Sequence, residues 1–291
     1  MKKLTLLIFC FLVLIKVSYS NELNPYSNAN LDLIKQQREK IKSAKIIEKN
    51  TYRYSTNYNE KDIDSGKVEK WLIIKEYFND NGQLIKYQSY EGDVGPIFTI
   101  QYTYNEEGLL LSILELDNFN TIIQKKDISY DPFSRISKIA ITGFNSKPIE
   151  TIYYEYNKER SICIETNKDS SNKLSGYRVH LYDKPFNKII KTTIFNKENE
   201  LDGTIVFNFT DNGIFSREVY SKDINVPFNI KYQNVFDDKG QLKEINNLTY
   251  PDNLVVSVKH TYNYFGLIDN TTMYGNDGAI ITKLGFVYFN K

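Results

Sequence analysis

Three side chains in this sequence have the chemistry of nucleophiles, general bases or metal ligands. His180 and His260 are the two histidines of the chain, and Cys163 is one of two cysteines, the other being Cys10 near the N-terminus. A cysteine becomes a nucleophile when a histidine lies within hydrogen-bond reach of its thiol. Cys163 has no histidine at a close, fixed spacing, so the sequence favours an inert, buried thiol.

The two histidines are too far apart in the predicted sheet to act together. They hold the same place in two units of a sequence repeat, and these units are three repeats apart. In a continuous sheet this separation is about six strand spacings, or roughly 29 Å. Carboxylates are spread along the chain without a distinctive pair, and no P-loop, dinucleotide-binding glycine motif, zinc spacing or EF-hand loop is present. We therefore predict no catalytic residue, no metal site and no cofactor.

Aromatic residues are the remaining candidates for a function, since the chain holds 23 Tyr and 17 Phe. Exposed Tyr and Trp rings form platforms for sugars and for partner proteins. Cross-strand packing is the alternative role for such rings, and the more usual one. The candidate binding surface, on the predicted solvent-facing side of the strands, consists of Trp71, Tyr77, Tyr87, Tyr90 and Tyr153.

A short sequence pattern recurs along most of the chain. It has seven positions. An aromatic residue comes first and is usually followed by Asn or Asp; two variable residues come next, then a position that is often Gly, one further variable residue and finally an aliphatic residue. The copies follow one another at a nearly constant period of about 26 residues, and self-similarity at such a period is typical of repeat architectures. The leading aromatic residues of the eight copies are Phe78, Tyr104, Tyr130, Tyr156, Tyr182, Phe209, Phe236 and Tyr262.

Each copy of the pattern predicts a turn between two strands. The Asn or Asp side chain accepts hydrogen bonds from the following backbone, and Gly supplies the positive φ that closes the turn. In three units another residue replaces this Gly, namely Ser134, Arg160 and Phe186. Because serine does not favour a positive φ, Ser134 predicts a different turn in its unit. A second, looser turn is predicted halfway through each unit. Apolar residues alternate with polar ones before the aromatic, which predicts strands with one buried face.

The repeat predicts an all-β fold made of one continuous antiparallel sheet of about 16–18 strands, curled or spiral in form. A closed, barrel-like shell and an open spiral both agree with the pattern. A short helix from Leu31 to about Lys42 and a strand near Ile46 to Ser55 precede the repeats, and Ile280 to Phe289 forms the closing strand. The predicted organisation is a signal peptide at 1–20, an N-terminal cap at 21–66 and eight hairpin repeats at 67–291. A terminal cap covers the apolar face that an end repeat exposes.

The turn motifs resemble those of the YD-repeat, or Rhs-repeat, family of exported bacterial proteins. The closest copies are Phe78 to Leu84, Tyr130-Asp131 and Phe236-Asp237-Asp238-Lys239-Gly240-Gln241-Leu242. The resemblance implies a shell of wound hairpins, which in the large members surrounds a toxic C-terminal domain. The chain ends one strand after its last turn, so no such domain is expected here. A weaker resemblance is to MORN-type hairpin repeats.

The N-terminus predicts export. Lys2 and Lys3 precede an apolar run from Leu4 to Ile15, and small residues at Ser18 and Ser20 mark a cleavage site after Ser20. The run is shorter than the ~20 residues of a membrane-spanning helix, so no stable membrane insertion is expected after cleavage. We expect a periplasmic, cell-surface or secreted protein. A formal net charge of +1 argues against a nucleic-acid partner.

These features favour an exported, non-enzymatic repeat scaffold that binds a protein or a glycan at the cell envelope. Two alternatives remain open. A polysaccharide-acting enzyme would need residues that break the repeat and converge in a cleft. An outer-membrane barrel agrees with the strand number and the signal peptide, but Glu76, Lys126, Glu150 and Arg178 lie on the apolar face, which lipid would disfavour.

Overall fold

The structure, a computed structural model, describes residues 31–55, 69–92, 95–185, 187–210, 213–222 and 230–291. The predicted signal peptide at 1–20, the loop at 57–66 and Phe186 lie outside the described residues. Among the residues described, no helix is long and apolar enough to span a membrane.

The described part of the chain consists of one α-helix followed by 18 strands. Helix α1 spans Leu31–Ser43, in agreement with the predicted helix. The strands, in chain order, are β1 (Ile46–Tyr54), β2 (Lys70–Phe78), β3 (Leu84–Tyr90), β4 (Pro96–Tyr104), β5 (Leu110–Asp117), β6 (Ile122–Tyr130), β7 (Ile136–Gly143), β8 (Pro148–Asn157), β9 (Ile162–Asp169), β10 (Leu174–Tyr182), β11 (Ile189–Asn196), β12 (Leu201–Thr210), β13 (Gly213–Ser221), β14 (Ile230–Phe236), β15 (Leu242–Thr249), β16 (Asn253–Tyr262), β17 (Ile268–Gly275) and β18 (Ile280–Asn290).

The sheet closes on itself. Every strand pairs antiparallel with the next one along the chain, and β1 pairs with both β2 and β18. The closing ladder runs from Ile46 opposite Asn290 to Tyr54 opposite Lys283. The prediction of one continuous antiparallel sheet is confirmed, and the sheet closes into a barrel rather than staying curled or spiral. Closure satisfies the backbone groups that an open sheet of this size leaves unpaired at its two edges.

Because neighbouring strands are antiparallel, the turns fall alternately at the two ends of the barrel. The end that carries the turns after Phe78, Tyr104 and the other leading aromatic residues is termed the aromatic-turn end. The opposite end carries the turns that fall halfway through each repeat, and it is termed the mid-repeat end. The two sets of turns that the sequence predicts therefore lie at opposite ends of the barrel.

The same kind of turn occurs at both ends of the barrel. At the aromatic-turn end, Asn79 Oδ1 accepts hydrogen bonds of 3.0 Å from the backbone N–H groups of Asn81 and Gln83. Asp117 at the mid-repeat end accepts the equivalent bonds from Phe119 and Thr121, at 2.9 and 2.8 Å. The mid-repeat turn is therefore not systematically looser than its counterpart, because the same side-chain acceptor fixes turns at both ends.

Ser134 adopts the turn that the sequence assigns to glycine. Its φ is 60°, and its N–H donates to the Asp131 carbonyl at 3.0 Å. Gly82 has a φ of 70° and donates in the same way to Asn79. The prediction of a different turn at Ser134 is wrong. The structure holds this serine in a left-handed conformation that side chains normally disfavour.

The apolar face of the sheet lines the inside of the barrel. Ile74, Ile100, Tyr154 and Phe207, which the alternating pattern places on one face, are 1, 5, 8 and 3% exposed. They belong to one buried cluster, which confirms the face assignment. The alternate positions face outward and carry many charged side chains, among them Lys75, Lys86, Lys125, Lys138, Lys191, Lys259 and Lys283.

In several units a tyrosine hydroxyl ties the unit to the preceding one. The hydroxyl of Tyr104 donates to the carbonyl of Leu84 at 2.9 Å, and Tyr130 donates to Leu110 at 2.8 Å. Tyr156, Tyr262 and Tyr288 make the same bond to the equivalent carbonyl of the preceding unit. A hydrogen bond of this kind contributes about 1 kcal/mol net. The repeat therefore encodes contacts between units as well as turns.

Helix α1 contacts turns at the aromatic-turn end. Its Arg38 Nε donates to the carbonyl of Asn81 at 3.2 Å, and Lys40 Nζ donates to that of Gly266 at 2.9 Å. Ile41 is 3% exposed and belongs to the buried cluster of the barrel. A Cβ on Gly82 would lie 2.5 Å from the Arg38 carbonyl oxygen, so the helix approaches this turn at a distance only glycine permits.

Candidate ligand-binding wall of the barrel

The aromatic residues that the sequence singles out do not form one surface. Trp71, Tyr77, Tyr87 and Tyr90 lie on neighbouring strands β2 and β3, whereas Tyr153 lies on β8. Tyr87 is 6% exposed and faces the interior, where it is paired with Glu76 across the strands. Trp71 is 38% exposed, and Tyr77, Tyr90 and Tyr153 are half-buried.

Most of the outward rings among them already have a cation over the ring. Lys86 Nζ lies 5.1 Å from the ring centroid of Tyr77. The ring of Tyr153 has Lys168 at 5.2 Å and Lys138 at 5.8 Å, and Arg53 lies 5.9 Å from Trp71. Tyr90 instead donates its hydroxyl to Gln88 at 3.2 Å. These contacts are the cross-strand packing that the sequence allows as the alternative role.

The two histidines make the same contact in their separate units. His180 Nδ1 lies 2.9 Å from the hydroxyl of Thr192, and His260 Nδ1 lies 2.9 Å from that of Thr271. In each case the threonine lies opposite on the next strand. Burial lowers the pKa of His260 to about 4, so this histidine is neutral at physiological pH.

The fold brings Cys163 next to a histidine, which sequence spacing did not indicate. Cys163 on β9 lies directly opposite His180 on β10. Both side chains are almost completely buried, at 1 and 0% exposed. Burial, followed by the negative charge of Glu165, raises the pKa of the Cys163 thiol to about 12. The thiol is therefore protonated, which agrees with an inert cysteine despite the neighbouring histidine.

A buried polar cluster surrounds this cysteine. Glu165 is 1% exposed, accepts a hydrogen bond from Arg178 and lies 3.4 Å from His180 Nε2. Burial alone would raise the pKa of Glu165, but His180 and Arg178 outweigh it, so the pKa lies below its usual range. The cluster is a buried carboxylate that pairs with Arg178 and lies close to His180 within the barrel wall. No group of three or more His, Cys, Asp or Glu in the described residues is arranged to hold a metal ion.

One sector of the inner wall is open to solvent. On β2 to β9 the inward side chains are mostly buried, as for Ile100, Ile113, Ile128 and Ile139. On β13 to β16 the equivalent side chains are half-buried instead. This open sector is defined by the inward residues Arg217, Tyr232, Asn234, Ile245, Asn247 and Val258. A barrel of this many strands is wide enough to hold a water-filled lumen.

Three residues of the open sector lie in one row across the strands. Arg217 on β13 pairs with Tyr232 on β14, which pairs with Asn247 on β15. The guanidinium of Arg217 lies over the Tyr232 ring, 4.2 Å from the centroid. The row therefore combines a cation, an aromatic ring and an amide on a half-buried part of the inner wall. Sequence reasoning missed it because its residues occupy ordinary inward positions of the repeat.

Comparison with known proteins finds similarity only at the level of solved structures. No protein-family model and no curated protein sequence matches the chain. A porin-like protein from Bacteroides uniformis has 7% identity and a TM-score of 0.41, with 84% of this chain and 98% of that chain covered. A porin-like protein from Bacteroides vulgatus has 11% identity and a TM-score of 0.30, with 83 and 98% covered.

The third similar structure is the Tc holotoxin pore of Photorhabdus luminescens. It has 11% identity and a TM-score of 0.26, and the match covers 71% of this chain but 13% of that one. The resemblance to YD repeats stays a prediction. The closed barrel itself has the architecture of the barrel alternative rather than that of an open, extended array.

Proposed function

We propose that this protein is an exported, non-enzymatic β-barrel of the cell envelope that binds a glycan in the open sector of its inner wall. The observation that carries the proposal is the contrast between the packed wall of β2 to β9 and the solvent-accessible wall of β13 to β16. Ligand sites are concave, largely apolar and carry a few convergent polar groups. Ile245 and Val258 supply the apolar part, and Tyr232, Asn234 and Asn247 supply the ring and the amides.

Export is part of the proposal and is supported by the charged, apolar and small-residue pattern from Met1 to Ser20. The absence of catalysis is likewise proposed. It is supported by the protonated state of Cys163 and by the carboxylate of Glu165, which Arg178 and His180 already occupy. A hydrolase would need an accessible acid or nucleophile with a free partner group.

The second candidate function is that of an outer-membrane barrel, and the closed barrel with an even number of antiparallel strands favours it. In such barrels the outward residues form an apolar band and the inward ones are polar. Outward lysines such as Lys125, Lys191 and Lys259 favour an aqueous exterior instead. Each basic residue at the midplane of a bilayer costs about 2–4 kcal/mol.

The two candidate functions predict different results in a single fractionation experiment. The full chain, isolated after export, is expected to remain in the supernatant without detergent. Recovery in the membrane pellet after alkaline extraction would instead support the outer-membrane barrel.

Binding is tested by screening the soluble protein against envelope glycans, with one variant in the open sector and one matched control. Tyr232→Ala removes the inward ring that lies under Arg217. Tyr274→Ala removes a ring on an outward position that lies under Lys259, 5.2 Å from the centroid. Loss of glycan binding in the first variant alone supports the proposal. Equal binding by both variants and the unaltered protein places the ligand elsewhere and contradicts it.

A further inference from the structure

Cations on the inner wall are paired with carboxylates on adjacent strands. Lys49 on β1 lies 2.6 Å from Glu76 on β2, and Lys126 on β6 lies 3.5 Å from Glu115 on β5. Arg178 on β10 pairs with Glu165 on β9. Pairing of this kind is expected, because a charge removed from water needs an opposite charge or hydrogen bonds in compensation.

Arg217 departs from this rule. Among the described residues no carboxylate lies within ion-pair distance of its guanidinium, whose neighbour is the ring of Tyr232. Its Nε atom is buried and has no hydrogen-bond acceptor. A donor of a charged group that is left without a partner is costly. The inner wall therefore carries, on β13, a cation that no carboxylate in the described part of the chain neutralises.

Asn247 lies two strands away in the same row, and it has an unpaired acceptor where Arg217 has an unpaired donor. Its Oδ1 atom is buried and accepts no hydrogen bond. Tyr232 lies between the two residues and pairs with both across the sheet. The row thus offers an N–H donor with a positive charge on one side of the ring and an oxygen acceptor on the other, roughly two strand spacings or 10 Å apart at the backbone.

From this juxtaposition we infer that Arg217, Tyr232 and Asn247 form a subsite for an acidic sugar, a pyranose that carries a carboxylate. This inference rests on the proposed function and specifies the class of glycan. The carboxylate of a uronic acid accepts hydrogen bonds from Arg217, whose planar guanidinium matches its two oxygens. Hydroxyl groups on the other edge of the same ring pair with the side-chain amide of Asn247, and the sugar ring lies alongside Tyr232.

The experiment compares an oligogalacturonate with the neutral oligogalactose of equal length, using the full chain and calorimetry. The unaltered protein is expected to bind the acidic oligosaccharide more tightly, with an affinity that falls as salt rises. Arg217→Gln is expected to weaken this binding about 10- to 100-fold, as loss of a charged hydrogen bond does. Binding of the neutral oligosaccharide stays unchanged, because it has no carboxylate for Arg217.

Two further variants keep the test independent of folding. Asn247→Asp is nearly isosteric and is expected to weaken acidic binding through repulsion. Lys259→Gln removes a cation over an outward ring and is expected to change nothing. In a nitrogen-labelled protein, the Nε–H resonance of Arg217 should move when the oligogalacturonate is added.

The outcomes separate this inference from the proposed function. Equal affinity for the two oligosaccharides in the unaltered protein, abolished by Tyr232→Ala, overturns the acidic subsite and keeps the glycan-binding barrel. Binding of an aspartate-rich peptide that depends on Arg217, without any glycan binding, overturns both assignments of ligand. Acidic binding that survives Arg217→Gln overturns the inference as well.

Discussion

The contact between helix α1 and the turn at Gly82 predicts a large effect for a very small substitution. Gly82→Ala places a methyl group 2.5 Å from the carbonyl oxygen of Arg38 and requires alanine to adopt a φ of 70°. The conformation alone costs about 1–2 kcal/mol. If the helix withdraws, the burial of Ile41 is lost as well, at about 1.5–3 kcal/mol. We expect the free energy of unfolding to fall by the sum of these two effects.

The chain contains a matched control for this prediction. Gly278 has a φ of 78° and no atom within 4 Å of the position that a Cβ would take, so Gly278→Ala carries the same backbone cost without a clash. Urea unfolding, followed by the fluorescence of Trp71, gives both values, and hydrogen exchange of residues 31–43 reports whether the helix has detached. Equal destabilisation by the two variants, with unchanged protection of the helix, would refute the argument that α1 is docked through Gly82.

Three further predictions concern single residues. Since burial lowers the pKa of His260 to about 4, the unfolded chain takes up a proton at this histidine before the folded protein does. As the pH falls from 6.5 to 4, the free energy of unfolding should therefore decrease by about 1.4 kcal/mol per pH unit. Urea titrations of His260→Gln should lack this contribution to the pH dependence. Cys163 should resist a thiol reagent at about pH 8 until the protein is unfolded, so rapid labelling of the native protein would contradict its raised pKa. Ser134→Gly should raise the melting temperature by relieving the left-handed backbone, with a gain of up to about 1 kcal/mol, and a loss of stability would show that the serine side chain itself is needed.

The repeating part of this fold could be predicted from the sequence because its information is local. A hairpin is specified by its own Asn or Asp, by the residue with positive φ and by the alternation of a few neighbouring side chains. The strands, the buried face and the helix before them follow from such short patterns. Ser134 shows the limit of this reasoning, since neighbouring contacts impose a backbone conformation that its residue type does not favour.

Features that depend on distant residues could not be predicted in this way. Closure of the barrel depends on the pairing of Ile46 to Tyr54 with Lys283 to Asn290, which no repeat motif encodes. The neighbourhood of Cys163 and His180 depends on strand register rather than on their spacing in the chain. The open sector depends on how deeply the inward side chains of β13 to β16 are buried in the folded barrel, and residues such as Arg217 occupy ordinary inward positions of the repeat that no local pattern marks.

The pairing of β1 with β18 also has a consequence for the order in which the molecule assembles. The other strand pairs join neighbours in the chain, which form rapidly because little entropy is lost in closing a short loop. The β1–β18 ladder instead joins the first strand of the sheet to the last, which is also the last to be synthesised. Hairpins should therefore accumulate first, with closure as the slow final step. Until that step is complete, both free edges remain templates for pairing with other molecules, so a chain halted before β18 should aggregate.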